Sequence, residues 1–509
     1  MYAVLDSLGL LGIEPYKIRV EVDSHRGLSG FDIVGLPDAT VKESRDRVKS
    51  AMHNLGYPFP YSKITANLAP ADTKKIGSVY DLPILLALIA SAGYEDMDFS
   101  GTAVIGEIGL SGEIRGVTGV LPMVLDAHSL GMERVIVPKA NAAEAAAAQG
   151  TEVLCADHAR DVIEYFTGRA KLKGVSAVPA PSAKSVGFLD LADVKGQSEA
   201  KRAMEIAAAG GHNLLFIGPP GTGKSMLAKR LPSILPDMTR EEAVETTKIY
   251  SVAGFLENGG ALISARPFRS PHHTVSPAAL TGGGPTPKPG DISLAHNGVL
   301  FLDEMPEFDK NVLEVLRQPL EDGIVHISRV RQRLSYPARV MLVAAMNPCP
   351  CGFYGHPTKK CSCTPEGIRR YLGRVSGPML DRIDIQVEVP PVNYEQLSSS
   401  QTEESSAVIR ARVARARQLQ TSRYKGKGIP GNAAIPTALL GEICVMEEKA
   451  SALLKLSFDR LSLSARAYDR ILKVARTIAD LEGSGELKSA HITEAIQYRS
   501  LDRKYWAGG

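Results

Sequence analysis

Over residues 1–170, short β-branched apolar runs such as IRVEV, AVIGEIGL and RVIVP alternate with helical stretches such as DLPILLALIASAG. This pattern predicts a mixed α/β domain. Within it, NAAEAAAAQG (Asn141 to Gly150) is strongly helix-favouring and is expected to form a plain surface helix. Residues 171–188, KLKGVSAVPAPSAKSVGF, carry Pro, Ser, Ala and Lys without a period and read as an inter-domain linker. From 189 to 393, apolar strands (NLLFI, GVLFL, RVMLVAAM) alternate with helices. Residues 394–509 are helical in pattern, and SARAYDRILKVARTIADL within them predicts a long amphipathic helix. The chain shows no internal repeat.

Composition narrows the class. The 509 residues suggest about three domains. Lys and Arg number 59 against 56 Asp and Glu, so any nucleic-acid surface must be a local patch. Residues 394–509 carry 18 basic and 13 acidic side chains, which concentrates the excess there. No apolar run approaches the ~20 residues that span a bilayer, and the start lacks a basic n-region and a cleavage site. A cytoplasmic protein with no membrane partner is therefore expected. Four of the six cysteines crowd between 349 and 363, which argues against a disulfide scaffold and for a metal.

The candidate chemistry lies in the second part. Gly218, Pro219, Pro220, Gly221, Thr222, Gly223, Lys224 and Ser225 match G-x-x-x-x-G-K-[ST] between a strand and a helix. Such a loop wraps backbone N–H groups around phosphates, with Lys224 on the β/γ oxygens and Ser225 on Mg²⁺. GVLFLDE ends in two carboxylates: Asp303 would complete the Mg²⁺ shell and Glu304 would act as general base. These residues predict an ATPase with ATP and Mg²⁺ as its cofactors. A third strand ends in Asn347, either an ordinary strand-end residue or a candidate to orient the attacking water. Arg382 in SGPMLDRID, on an exposed-looking turn, and Arg466 at the start of the long helix are candidates for charge at the γ-phosphate. The alternative for each is a salt-bridged surface arginine.

GPPGTGKS, GVLFLDE, AAMNPCPCG, SGPMLDRID and SARAYDRILKVARTIADL, in this order, resemble the magnesium-chelatase-like AAA+ ATPases. The opening LLGIEPYKIRVEVDSHRGLSGFDIVGLPDATVKESRDRVKSA and the closing LDRKYW resemble the YifB/ComM group within that family. The resemblance runs the length of the chain. It implies a multidomain α/β fold: a Lon-protease-like (ribosomal S5 domain 2-like) domain over 1–170 and a P-loop core of the helix-2-insert, pre-sensor-1-hairpin type over 189–393. A C-terminal helical lid over 394–509 completes it. It further implies a homo-hexamer with ATP between subunits, Arg382 as a trans finger, Arg466 as second sensor, and Val194, Gly196 and Gln197 near the adenine. ComM-type members are helicases that drive branch migration in natural transformation, so DNA, single-stranded or branched, is the implied partner.

Two insertions fit this resemblance. Asp303 lies 79 positions after Lys224, leaving room for RPFRSPHHTVSPAALTGGGPTPKPG, a loop by composition. Its His272 and His273 lack nearby cysteine or acidic partners and are not read as metal ligands. EDGIVHISRVRQRLSYPARV predicts a hairpin with Arg329, Arg331 and Arg333 crowded at its tip, placed to grip phosphates in a ring or simply solvated.

The Lon-like catalytic pattern is broken. Val79 falls where a protease carries its serine, with Ser78 one position early, and Leu121 falls near the expected lysine. Without nucleophile and base no acyl transfer follows, so the domain is expected not to be a protease. Cys349, Cys351, Cys361 and Cys363 form C-x-C-x9-C-x-C, suited to tetrahedral Zn²⁺, with free thiols or an iron–sulfur cluster as alternatives. Cys155 and Cys444 read as ordinary buried residues. Between Ser405 and Gly441 there is no acid, while Arg410, Arg412, Arg415, Arg417, Arg423, Lys425 and Lys427 are basic. On a helix these arginines would fan outward, as a solvated face or a phosphate-contacting one. The expected function is an ATP-driven DNA motor. The alternative is a protein-remodelling motor that needs no nucleic acid.

Overall fold

The computed structural model describes residues 2–148, 150–175, 189–256, 262–284, 287–329, 332–398, 403–461 and 463–506. The N-terminal part is built on a mixed eight-stranded sheet. Its centre is the antiparallel pair Tyr2–Leu11 and Glu14–His25, which faces Leu5 with Val20 and Leu8 with Lys17. Lys63–Ala69 and then Gly30–Val34 extend one side; Thr102–Val104, Arg134–Pro138, Glu152–Ala156 and Lys173–Gly174 extend the other. Along Glu14–His25 the inward positions Ile18, Val20 and Val22 alternate with polar ones, so one face of the sheet can be dry. The helix Asp81–Ser91 is apolar nearly all round and is correspondingly buried against the central pair.

A second, all-parallel sheet of five strands follows. In space its order is Phe268–Arg269, Val299–Leu302, Met341–Met346, Leu214–Ile217, Ile385–Glu388. Every residue of the three central strands is buried, which is why they read as unbroken apolar runs. The first of these in sequence, Leu214–Ile217, lies between the fourth and fifth. The loop leaving its carboxyl end therefore opens at a switch in strand order, where α/β sheets bind ligands. Helices Ser406–Arg423, Glu448–Leu461, Ala465–Glu482 and Ser489–Gln497 pack with Ser198–Gly210 over one face and share one core with it.

Three expectations change. NAAEAAAAQG is α-helical only over Ala142–Ala145, and Glu144 and Ala145 are buried. Alanine propensity was overridden because the Glu144 carboxylate turns inward, accepting from the Leu121 N–H at 2.8 Å and from the Ser251 hydroxyl. The segment 171–188 does not begin as a linker: Lys173–Gly174 pairs antiparallel with Cys155 and Leu154 at the sheet edge, and 176–188 lies outside the described residues. Cys155, at that edge, is only half-buried, whereas Cys444 is buried.

Candidate nucleotide site

Gly221 and Gly223 adopt φ of +78° and +89°, a backbone that a side chain would strain and that turns successive N–H groups to one side. The helix Lys224–Arg230 begins at once, so its free N–H groups face the same space. Lys224 Nζ donates to the carbonyls of Gly218 and Pro219, both at 2.7 Å, and to Asn347 Oδ1 at 3.1 Å. Burial pushes this ammonium down to about 8, against the opposing pull of Asp303 and Glu304. Ser225 Oγ donates to Asp303 Oδ2 at 2.6 Å, and the Glu304 N–H donates to Asp303 Oδ1 at 3.0 Å. A hydroxyl and a carboxylate oxygen in contact, beside a loop of inward N–H groups, suit a hard cation such as Mg²⁺ carrying a polyphosphate. Glu304 itself is exposed, with φ of +51° where the chain leaves the strand.

The structure thus brings together Lys224, Ser225, Asp303, Glu304 and Asn347 from three parallel strands. Gln197 joins them from the other side: its Nε2 donates to Pro390 O at 2.7 Å and lies 3.5 Å from Thr222 O. Val194 is buried, and its carbonyl accepts from Lys201 Nζ. Glu403 is a residue that sequence reasoning missed. It accepts from the Gly196 N–H at 2.8 Å and from Lys201 Nζ at 2.7 Å, tying the C-terminal helices to the loop before the P-loop. The Lys201 hydrogen bond holds its carboxyl below the usual range. No local motif surrounds Glu403, so only its contacts reveal it.

Arg382 and Arg466 lie elsewhere. Both line a cleft of about 720 Å³ between the parallel sheet and the C-terminal helices, and none of Gly218–Ser225 lines it. The turn that looked exposed holds its arginine firmly: Arg382 bonds Arg317 O at 3.0 Å, Pro378 O at 2.6 Å and Glu321 Oε2 at 2.6 Å, leaving 12% of the side chain exposed. Arg466 pairs with Asp381, the residue beside Arg382, at 3.0 Å.

The four cysteines converge, with every Sγ within 4.8 Å of the others. Cys349 Sγ lies 3.4 Å from Cys351 Sγ and 3.7 Å from Cys361 Sγ, and the latter two are 3.5 Å apart. Four thiolates ~2.3 Å from a tetrahedral ion stand about 3.8 Å apart, so the donor set fits Zn²⁺. N–H groups of Cys351 and Tyr354 donate to the sulfurs of Cys363 and Cys349, supporting thiolate charge. Among the described residues no other metal-competent group forms; His272 and His273 stack on each other instead.

The basic helix is corrected. The arginines of Ser406–Arg423 do not fan outward as a group. Arg410 pairs with Asp237, Arg412 with Glu205 and Glu404, and Arg423 with Asp480, while Arg417 donates to Pro430 O. Acids outside the run supply the partners, Glu404 just before it and Asp237, Glu205 and Asp480 far from it, which is why the acid-free run looked unpaired. The predicted hairpin forms from Ile324–Arg329 and Gln332–Pro337, with Ser328 opposite Arg333 and Arg329 opposite Gln332. Arg331 lies outside the described residues.

Three family profiles match in succession: subunit ChlI of Mg-chelatase over 20–141, magnesium chelatase, subunit ChlI, over 190–397, and magnesium chelatase, subunit ChlI C-terminal, over 403–499. The YifB protein of Escherichia coli (strain K12) is 44% identical over 503 residues, 98% of this chain and 97% of that protein. The competence protein ComM of Haemophilus influenzae is also 44% identical, over 508 residues and 98% of each chain. The chain belongs to the YifB/ComM group of the magnesium-chelatase-like AAA+ family.

Beyond this family, Lon protease 2 of Bacillus subtilis is 28% identical over 163 residues, 31% of this chain and 29% of that one. The expected break in the serine–lysine pattern has a structural counterpart. Val79 is buried, the Ser78 hydroxyl donates to the Glu107 carboxylate, and Leu121 is wholly buried. Lys75, the nearest lysine upstream, is spent on the carbonyls of Pro70 and Thr73.

Proposed function

We propose that this member of the family is an ATP-hydrolysing motor that assembles as a homo-hexameric ring and moves on DNA, of the helicase and branch-migration kind. The observation that carries the reading is the split site. Lys224, Ser225, Asp303, Glu304 and Asn347 converge on one surface, whereas Arg382 and Arg466 face a separate cleft, so one chain supplies only part of an ATPase centre. A ring closes such a site by placing one subunit's cleft against the next subunit's P-loop.

In that centre Lys224 exchanges its loop carbonyls for the β/γ-phosphate oxygens, and Ser225 and Asp303 hold Mg²⁺, which offsets phosphate charge. Glu304 takes a proton from the attacking water, and Asn347 orients that water. Arg382 exchanges its bonds to Glu321, Arg317 O and Pro378 O for the neighbour's γ-phosphate, with Arg466 beside it. Val194, Gly196 and Gln197 border the adenine end. In this reading residues 1–170 are a Lon-like unit without proteolysis, 189–393 the motor core and 394–509 the lid; the cysteines hold Zn²⁺, and the protein works in the cytoplasm. No described helix is long and apolar enough to cross a membrane. The name of the Haemophilus relative, a competence protein, supports recombination or natural transformation as the setting.

Paired arginines on Ser406–Arg423 favour the second reading, a protein-remodelling motor, because they remove one candidate DNA surface. The hairpin Ile324–Pro337 then carries the DNA contact alone, through Arg329, Arg331 and Arg333. Measuring ATPase rate with and without single-stranded DNA separates the two. Stimulation that falls steeply with salt supports the DNA motor. ATP turnover indifferent to DNA at every salt concentration supports protein remodelling.

A further inference from the structure

The geometry points to the four-cysteine knuckle as a brace that positions the ATPase site, a role beyond stapling its own loop. The inference rests on the nucleotide reading above. Cys349 is two residues after Asn347, the side chain that meets Lys224. The backbone then folds through Cys351 onto Gly352, whose N–H donates to Cys349 O at 2.9 Å. Gly352 has φ of +82°, and a Cβ there would stand 2.5 Å from Cδ of Pro220, the third residue of the P-loop. The knuckle backbone therefore rests directly on the phosphate loop.

Its far end is equally engaged. Thr364, next after Cys363, caps the helix Pro365–Leu372, whose Ile368, Tyr371 and Leu372 are buried in one core with Cys349 and with Met346, the residue before Asn347. One exit of the cysteine loop thus leads to Asn347 and the other into the core beside it, while the loop's first turn touches Pro220. Between these anchors the loop offers little core of its own: Tyr354, Gly355 and Thr358–Lys360 are exposed, and Cys349 is its one wholly buried cysteine. Metal–thiolate bonds are what hold such a segment in one shape. When they are lost, Gly352 leaves Pro220 and Asn347 loses its anchored neighbour.

The test pairs two glycines of this loop. Gly355 also has positive φ, +74°, but a Cβ there meets nothing within 4 Å. Gly352→Ala and Gly355→Ala impose similar backbone strain, and only the first drives a methyl into Pro220. With metal measured by chromogenic chelator release and nucleotide by a fluorescent ATP analogue, both variants should hold one metal per chain. Displacing Pro220 by close to an ångström should weaken ATP-analogue binding or turnover roughly tenfold or more in Gly352→Ala and leave Gly355→Ala near wild type. In parallel, chelator-stripped wild type that keeps its far-UV circular dichroism should lose analogue affinity and regain it on adding Zn²⁺. Equal affinity and turnover in the two variants, or in stripped and reloaded protein, would overturn the brace while leaving the nucleotide site standing. A wild type that binds no nucleotide at all would overturn the underlying reading instead.

Discussion

Lys224 shows how one side chain's surroundings become a measurable pH dependence. Its ammonium is held near 8 by burial, and polyphosphate binding favours the charged form. Nucleotide affinity should therefore be constant below pH 8 and weaken above it, approaching roughly tenfold per pH unit. Titrations of a fluorescent ATP analogue between pH 7 and 9.5 check this. Lys224→Arg, which stays charged throughout, should flatten the profile even if it binds less well. At the neighbouring carboxylate, Glu304→Gln should keep ATP bound and reduce turnover about 100-fold or more, because water loses its proton acceptor. Arg382→Ala should also stop hydrolysis while sparing binding. Mixing it with Lys224→Ala subunits should restore part of the activity, since some interfaces then pair an intact pocket with an intact finger. No rescue in mixed rings would place Arg382 outside the neighbour's site.

The helix Ser406–Arg423 looked like a solvated or phosphate-binding face because its own stretch contains no acid. Its arginines are instead ties between elements. Arg423 bonds both oxygens of Asp480, at 2.5 and 2.9 Å, and Asp480 is almost wholly buried with Arg476 and Asn432. Arg423→Ala should cost about 2–3 kcal/mol in urea unfolding, less than stranding a buried charge, because Arg476 and Asn432 still satisfy Asp480. The exposed Arg415→Ala should stay within ~0.5 kcal/mol. Equal losses would mean the network carries no stability. For the hairpin the expectation runs the other way: neutralising Arg329, Arg331 and Arg333 together should keep basal ATPase and abolish DNA stimulation. Wild-type unwinding by that variant would reduce these arginines to a charged turn.

At the scale of the molecule, the N-terminal unit is docked onto the part that carries the P-loop. Gly119 N–H donates to Ser251 O at 3.2 Å, Lys248 reaches Asp126 at 3.4 Å, and the Ser251 hydroxyl donates to buried Glu144. Leu11 and Ile13 pack into the core that holds Leu334 and Tyr336 of the hairpin. A unit attached at both the helix Arg240–Ala253 and the hairpin can steady the segments that separate Lys224 from Asn347. It should do so without proteolysis: incubation with unfolded substrates and ATP should yield no fragments. Cleavage that vanishes in Ser78→Ala would overturn that expectation and show that its bond to Glu107 is broken in the working enzyme.

Local chemistry was legible in the sequence wherever contiguous residues carry it. GPPGTGKS, the strand-end Asp303 and Glu304, the paired C-x-C motifs and the alternating hairpin each follow from short-range backbone geometry, and the structure builds each element where the pattern places it. What joins distant segments was not legible. Glu403 on Gly196, Asp237, Glu205 and Asp480 on the basic helix, Glu144 on Ser251 and Gly352 on Pro220 are contacts that no periodicity encodes. Periodicity reports which face of an element is apolar; the partner of a charge or of a bare glycine is chosen only when the faces close on one another and desolvation requires each polar group to find its match.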